Sequence, residues 1–239
     1  MQCYANGLQH ERSVGNVCAM AELTTKTASL KIDGFFKRAV LFKDAHCAEA
    51  AQKALDIFYG YGLRTAQIAV RNGDETYNYD LYFPLFNGNA SFKISAEKVE
   101  LGFQGIANAK DFEIVADCVA KFYQQVLVPE VGATNIDATA HAVTASAEAR
   151  DKYLLRSADT SKQITCAGAV MYTRCKDWME EIRVLVDRSL VFANDGLFLM
   201  WTTTFSGDKL TMELLANLEK ACEEAANKLD LTFSKPSAS

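Results

Sequence analysis

The sequence is poor in residues that interrupt or staple a chain. Only three prolines occur in 239 residues, and the seven cysteines (Cys3, Cys18, Cys47, Cys118, Cys166, Cys175, Cys222) are an odd number without a C-x-x-C pair. Neither a disulfide framework nor a thiolate zinc site is implied, so no metal and no cofactor is expected. Three histidines, His10, His46 and His141, share no ligand spacing with one another or with a cysteine. His46 and Cys47 are neighbours, but adjacent helical side chains diverge by about 100° and do not pair as nucleophile and base. P-loop, G-x-S-x-G and dinucleotide fingerprints are missing, and no catalytic residue is assigned. Apolar runs such as GLFLMW fall far short of the roughly 20 residues of a membrane span, and no basic-then-apolar leader opens the sequence. A cytoplasmic protein without a membrane partner is expected.

Hydrophobic residues make up 49% of the chain and charged residues 23%, enough to bury a substantial core in one large domain or two small ones. The formal charge of -5 gives an averaged field that repels phosphate backbones, so nucleic acid is a disfavoured partner. The FFKR cluster at 35–38 fits strand residues alternating between core and solvent, and no basic run with interleaved aromatics occurs.

Residues 1–24 lack periodicity and are expected to form an irregular arm, and 233–239 a polar tail. Between them Pro129 and Gly132 divide two similar halves, 25–128 and 133–232. In the first half SLKIDGFFKRAVLF predicts a strand, and Asp44 caps a helix with Cys47, Ala48, Ala51, Leu55, Phe58 and Tyr59 on one face. Gly60 and Gly62 end that helix. RTAQIAVRN, ETYNYDLYF, ASFKI and VELGF then predict strands separated by turn residues, and Asn108 caps a helix striped with Phe112, Val115, Val119, Phe122 and Val126. In the second half ATNIDATAHAVT predicts a strand, Ser146 caps a short helix, and QITCAGAVMYT, EEIRVLVDRSLVF and LFLMWTTTF predict strands. A helix carrying Leu214, Leu215, Leu218, Ala221, Cys222, Ala225 and Leu229 on one side closes the chain. The class is α+β: two β-α-β(3-4)-α halves forming an antiparallel sheet backed by amphipathic helices, with the other sheet face left free.

That element order resembles the TATA-binding-protein-like fold, in which two such halves join into one curved antiparallel sheet. The likeness is one of fold and transfers no DNA binding. The stretch EEIRVLVDRSLVFANDGLFLMWTTTF with its following Leu- and Glu-rich helix resembles the end of a sporadically distributed bacterial family, marked by a VDRSLVF-like strand. That family is functionally uncharacterised and implies no activity or catalytic residues.

Five residues are candidates for a ligand or partner site. Counting by twos from Ile182 puts Val184, Val186, Arg188, Leu190 and Phe192 on one face, which drives Arg188 into the apolar side of a regular strand. Either a bulge near Asp187 turns Arg188 outward, or Arg188 is buried against a carboxylate and carbonyls; its role is architectural or it binds a ligand. Asn194-Asp195-Gly196 predicts a tight hairpin turn. Trp201 belongs to the core or lines a pocket. Tyr77 and Tyr79 share a face and either pack under helices or form a recognition row. The leading expectation is a nonenzymatic protein that uses the free sheet face or the apolar hairpin to hold a protein partner or a second copy. The alternative is a small-molecule-binding protein, possibly an enzyme, with a cavity between sheet and helices.

Overall fold

The computed structural model describes residues 21–40, 44–72, 79–127, 129–156, 168–174, 181–206 and 212–234. Ten strands are seen among them: β1 (Ala21–Phe36), β2 (Ala69–Asn72), β3 (Tyr79–Leu85), β4 (Ala90–Ile94), β5 (Lys98–Ile106), β6 (Val131–Val143), β7 (Ala169–Thr173), β8 (Ile182–Arg188), β9 (Gly196–Ser206) and β10 (Leu231–Phe233). Four α-helices accompany them: α1 (Asp44–Phe58), α2 (Ala109–Lys121), α3 (Ala147–Leu155) and α4 (Met212–Asn227). The α+β class read from the sequence is the observed one.

Nine strands form one antiparallel path in the order β2-β3-β4-β5-β1-β6-β9-β8-β7. The two long strands β1 and β6 lie side by side at its centre, Ile32 opposite Ile136, with β5 against the far edge of β1 and β9 against the far edge of β6. β10 adds a short parallel pairing, Ala21 to Leu231 through Leu23 to Phe233. Two expected boundaries therefore move. β1 begins at Ala21, inside the expected arm, and Leu231–Phe233 is a strand that crosses the expected start of the tail. Both segments are too short or too polar to show a period of their own, and it is their pairing with each other that orders them.

Strand alternation decides the two faces of the sheet. Leu30, Ile32, Leu81, Phe83, Phe92, Ile94, Val99, Leu101, Ile136, Val184, Val186, Leu197 and Leu199 are buried, while the residues between them are polar or partly exposed. The helices lie on the apolar side: α1 against β3, α2 against β5 and α4, α3 against β1 and β9, and α4 against β8 and β10. Beneath α1 and α2 the core is aromatic. Phe92 meets Phe58 at 5.5 Å edge-on, Phe83 at 5.5 Å and Phe122 at 5.1 Å, arrangements that suit the ring quadrupoles. Phe122 begins a π-helical turn, Phe122–Val126, that extends α2.

Helix starts follow the capping rules. Asn108 accepts from the Asp111 amide at 3.0 Å, and Ser146 from the Ala149 amide at 3.2 Å. α1 gives way to a single 3-10 turn, Tyr59–Tyr61, closed by Gly62 at φ 91°, a conformation open to glycine. Among the described residues these side chains pack together between the sheet and the helices.

Candidate functional site

The open face is assembled from the solvent-side residues of seven adjacent strands. Register aligns Tyr82, Lys93, Glu100, Asp33, Asn135 and Thr204 in one row across β3, β4, β5, β1, β6 and β9. The next row runs Pro84, Ser91, Gly102, Lys31, Asp137, Thr202 and Arg183. In these two rows a depression of about 500 Å³ opens, lined by Tyr82, Ser91, Lys93, Glu100, Lys31 and Asp137, with Ser29, Thr139, Gln104 and Met200 at its ends. Gly102 is its floor: a Cβ there would stand 3.2 Å from the Ser91 hydroxyl, so the missing side chain creates the hollow.

Charges of both signs are tied together around it. Lys93 pairs with Asp80 at 2.9 Å and reaches Glu100 at 3.7 Å, Lys98 pairs with Glu100 at 2.9 Å, and Lys31 pairs with Asp33 at 2.7 Å. The hydrogen bond to Asp33 holds the Lys31 ammonium above its ordinary range against the opposing effect of burial, with Asp33, Glu100 and Asp137 adding attraction. For Glu100 burial works against ionisation, but Lys98, Lys93 and Lys31 outweigh it and leave the carboxyl below the usual carboxylate range. Thr202 donates to Asp137 at 2.8 Å. Asp33 Oδ1 is buried with no hydrogen-bond partner among the described residues. Among the described residues no cluster of His, Cys, Asp and Glu is placed to hold a metal ion.

A second hollow of about 520 Å³ lies off the sheet between Lys37, Arg38, His46, Glu49, Pro129 and Glu130, where Lys37 and Glu130 pair at 3.0 Å.

The sequence-derived candidates are scattered. Arg188 pairs in regular register with Leu197 but is the last residue of β8, so neither a bulge nor burial occurs: it stands exposed because the sheet ends there. Its guanidinium donates to the Ala193 carbonyl at 3.0 Å, an architectural contact, and Asp187 Oδ1 accepts from the Arg188 amide at 2.6 Å. The expected tight turn at 194–196 is instead a seven-residue connection, 189–195, because the strand stops before Ser189. Trp201 is 5% exposed, packs beside Phe233 on the helix-covered side, and keeps its Nε1 unpartnered among the described residues. It is a core residue. Tyr77 lies outside the described residues and Tyr79 opens β3 opposite Asn72. Leu81 and Phe83 are buried, and Tyr82, which alternates with them, is the tyrosine that lines the hollow.

Sequence reasoning missed Gly102, Lys31, Lys93 and Asp137 as a group. Gly102, set between Glu100 and Gln104 in the middle of a strand, was the available signal, since glycine inside a strand marks a close approach or a missing wall. It also missed Arg150, 3% exposed on α3, which donates to the carbonyls of Ala193 (2.7 Å) and Asn194 (2.5 Å) and pairs with Asp151 at 2.7 Å.

No family model matches the chain, and no curated protein matches it. Among solved structures, a rolling circle replication initiator protein from Geobacillus stearothermophilus is similar over 91% of this chain and 89% of its own, at 10% identity and a TM-score of 0.35. That finding overturns two expectations, a nonenzymatic docking protein for a protein partner or second copy, and nucleic acid as a disfavoured partner, since replication is work on nucleic acid. Both had rested on absent motifs and on a whole-chain charge, and an averaged field does not describe any one face, such as this one with Lys31, Lys93, Lys98 and Arg183 beside Asp33, Asp80, Glu100 and Asp137. At a TM-score of 0.35 the likeness carries no argument for an activity in their place. Among the described residues no helix is long and apolar enough to cross a membrane.

Proposed function

We propose that the open face of the sheet binds a neutral, polyhydroxylated small molecule of the sugar class in the hollow over Gly102. The observation that carries this reading is the composition of the lining. Two cations, Lys31 and Lys93, face two anions, Glu100 and Asp137, so the hollow has no net formal charge, and the hydroxyls of Ser29, Ser91, Thr139 and Tyr82 stand among them. Such a wall offers donors and acceptors in close alternation. A ligand with many hydroxyl groups uses both, whereas an anion or a cation meets a repelling partner at every second residue. The Tyr82 ring adds a flat apolar surface for a sugar face, and the volume suits a mono- or disaccharide. Lysine and carboxylate heads held by one another lose little freedom on binding, which preorganises the site.

We also propose that the chain is a member of the bacterial family that its VDRSLVF strand resembles. The matched order of elements on the two sides of the β1–β6 seam is read as one unit used twice, with halves 25–128 and 133–232.

Saturation-transfer NMR with a panel of common mono- and disaccharides tests the binding. At least one sugar is expected to receive saturation from the protein, and Gly102→Val, which fills the hollow toward Ser91, is expected to abolish it while circular dichroism stays unchanged. Thr139→Val, which removes a lining hydroxyl at constant volume, should weaken binding severalfold. A panel without any responding sugar at millimolar concentration, or a Gly102→Val protein that binds as before, refutes the reading.

A further inference from the structure

The connection between β8 and β9 is held by a hydrogen-bond arrangement that depends on one imidazole. Ser189 is 1% exposed, and its hydroxyl oxygen accepts from the amides of Val191 (3.2 Å) and Phe192 (3.0 Å). These two bonds use both lone pairs of the oxygen. The third contact of that oxygen is His141 Nδ1 at 2.9 Å. With both lone pairs occupied, the serine must donate its single proton, and His141 Nδ1 must accept it. The bond therefore requires the neutral imidazole with its proton on Nε2.

We propose that His141 and Ser189 form a pH-sensitive latch on residues 189–192: neutral His141 closes it, and protonation opens it. A proton on Nδ1 confronts the serine hydroxyl with a second donor. The hydroxyl then has to turn and give one of its lone pairs to the imidazolium, at the expense of the Val191 or Phe192 amide. The phenyl rings of Phe198, 5.1 Å from the imidazole, and Phe192, 6.3 Å away, flank it. Among the described residues, Asp187 on β8 is separated from His141 by Phe198 in the register, Lys26 lies in the bulge of β1 beside Thr27, the partner of His141, Arg188 donates to the Ala193 carbonyl at the far part of the connection, and Asp195 is held there through its main-chain carbonyl by Thr144.

Those far contacts confine the opening to the near half. Arg150 and Arg188 hold the carbonyl of Ala193, and Thr144 donates its amide to Asp195 O at 3.0 Å. The half that is released carries Leu190, 93% exposed, and Val191, 62% exposed, so the latch controls how rigidly two outward apolar side chains are presented.

Amide hydrogen exchange and nitrogen-15 NMR of the full chain test the latch. At neutral pH the His141 ring is expected to carry its proton on Nε2. Between roughly pH 8 and 5, the titration range of imidazoles, protection of the Val191 and Phe192 amides, corrected for intrinsic exchange, should fall on the order of tenfold for one lost hydrogen bond, while that of β9 amides stays constant. His141→Asn, whose side-chain carbonyl can accept the serine proton but cannot titrate, should keep both amides protected at every pH. A ring proton found on Nδ1 at neutral pH, protection in the wild type that does not change with pH, or an equal fall in His141→Asn overturns the proposal.

Discussion

Replacing Gly34 by alanine places one methyl group where the fold has no room for it. Gly34 sits in β1 on the helix-covered face, and its new Cβ would stand 2.5 Å from the Tyr123 hydroxyl and 2.9 Å from Val99 Cγ1. The backbone there is not in a glycine-only conformation, so exchange to alanine would by itself help folding by about 0.5–1 kcal/mol. Overpacking works the other way by about 1–3 kcal/mol. The steric effect is expected to win, giving a net loss of about 1–2 kcal/mol, or roughly 2–4 °C of Tm per kcal/mol in a chain of this length. The hydroxyl is the nearest obstacle. It stands near Thr134 without a hydrogen bond of good geometry, and burial pushes its pKa up to about 12. Tyr123→Phe alone should therefore be close to neutral, because it deletes a buried hydroxyl that has no hydrogen bond of good geometry among the described residues. In that background the nearest atoms to the new methyl become Val99 Cγ1 at 2.9 Å and the ring carbon at 3.4 Å, and the cost of Gly34→Ala should fall by about 1 kcal/mol. Urea denaturation followed by circular dichroism on the four proteins closes the cycle. Equal costs of Gly34→Ala with and without the hydroxyl would refute the assignment of the strain to Tyr123.

Further expectations concern the connection at 189–195 and the helix surface. Arg150→Met removes a donor from the carbonyls of Ala193, which keeps Arg188, and Asn194; a loss of about 1–3 kcal/mol is expected in urea melts, with faster tryptic cleavage at Arg188. Unchanged stability would show that water replaces the guanidinium. Asp117 on α2 accepts from Tyr61 and from Lys121 at 2.7 Å; burial opposes its ionisation, but these bonds outweigh it and keep the carboxyl below the usual range. A depressed carboxylate contributes stability above its unfolded pKa of about 3.9, and that contribution is lost as pH falls through the lower folded value. Asp117→Asn should accordingly lose a little stability at pH 7 and nothing once both carboxyl forms are protonated, a difference measurable in thermal melts from pH 7 down to 2. The pair is more than a third exposed, so the effect is expected to be small and reduced by salt.

The sequence by itself determined the units of this fold. Alternation at Leu30, Ile32 and at Phe92, Ile94 marked strands with one apolar side, and Asn108 and Ser146 marked where helices begin, because these signals act within a few residues of one another. The charge on the open face was legible as a set of solvent-side residues, but not as a site. Lys31, Lys93, Glu100 and Asp137 come from four strands, and only the pairing β4-β5-β1-β6 brings them around Gly102. The end of β8 was likewise invisible. Periodicity continues through Arg188, Leu190 and Phe192, while the strand stops where Ser189, His141 and Arg150, distant in sequence, capture the chain. Local propensity thus chose strand or helix, and long-range hydrogen bonds and register chose where each ends and which side chains meet, since those energies exist only after the sheet has closed.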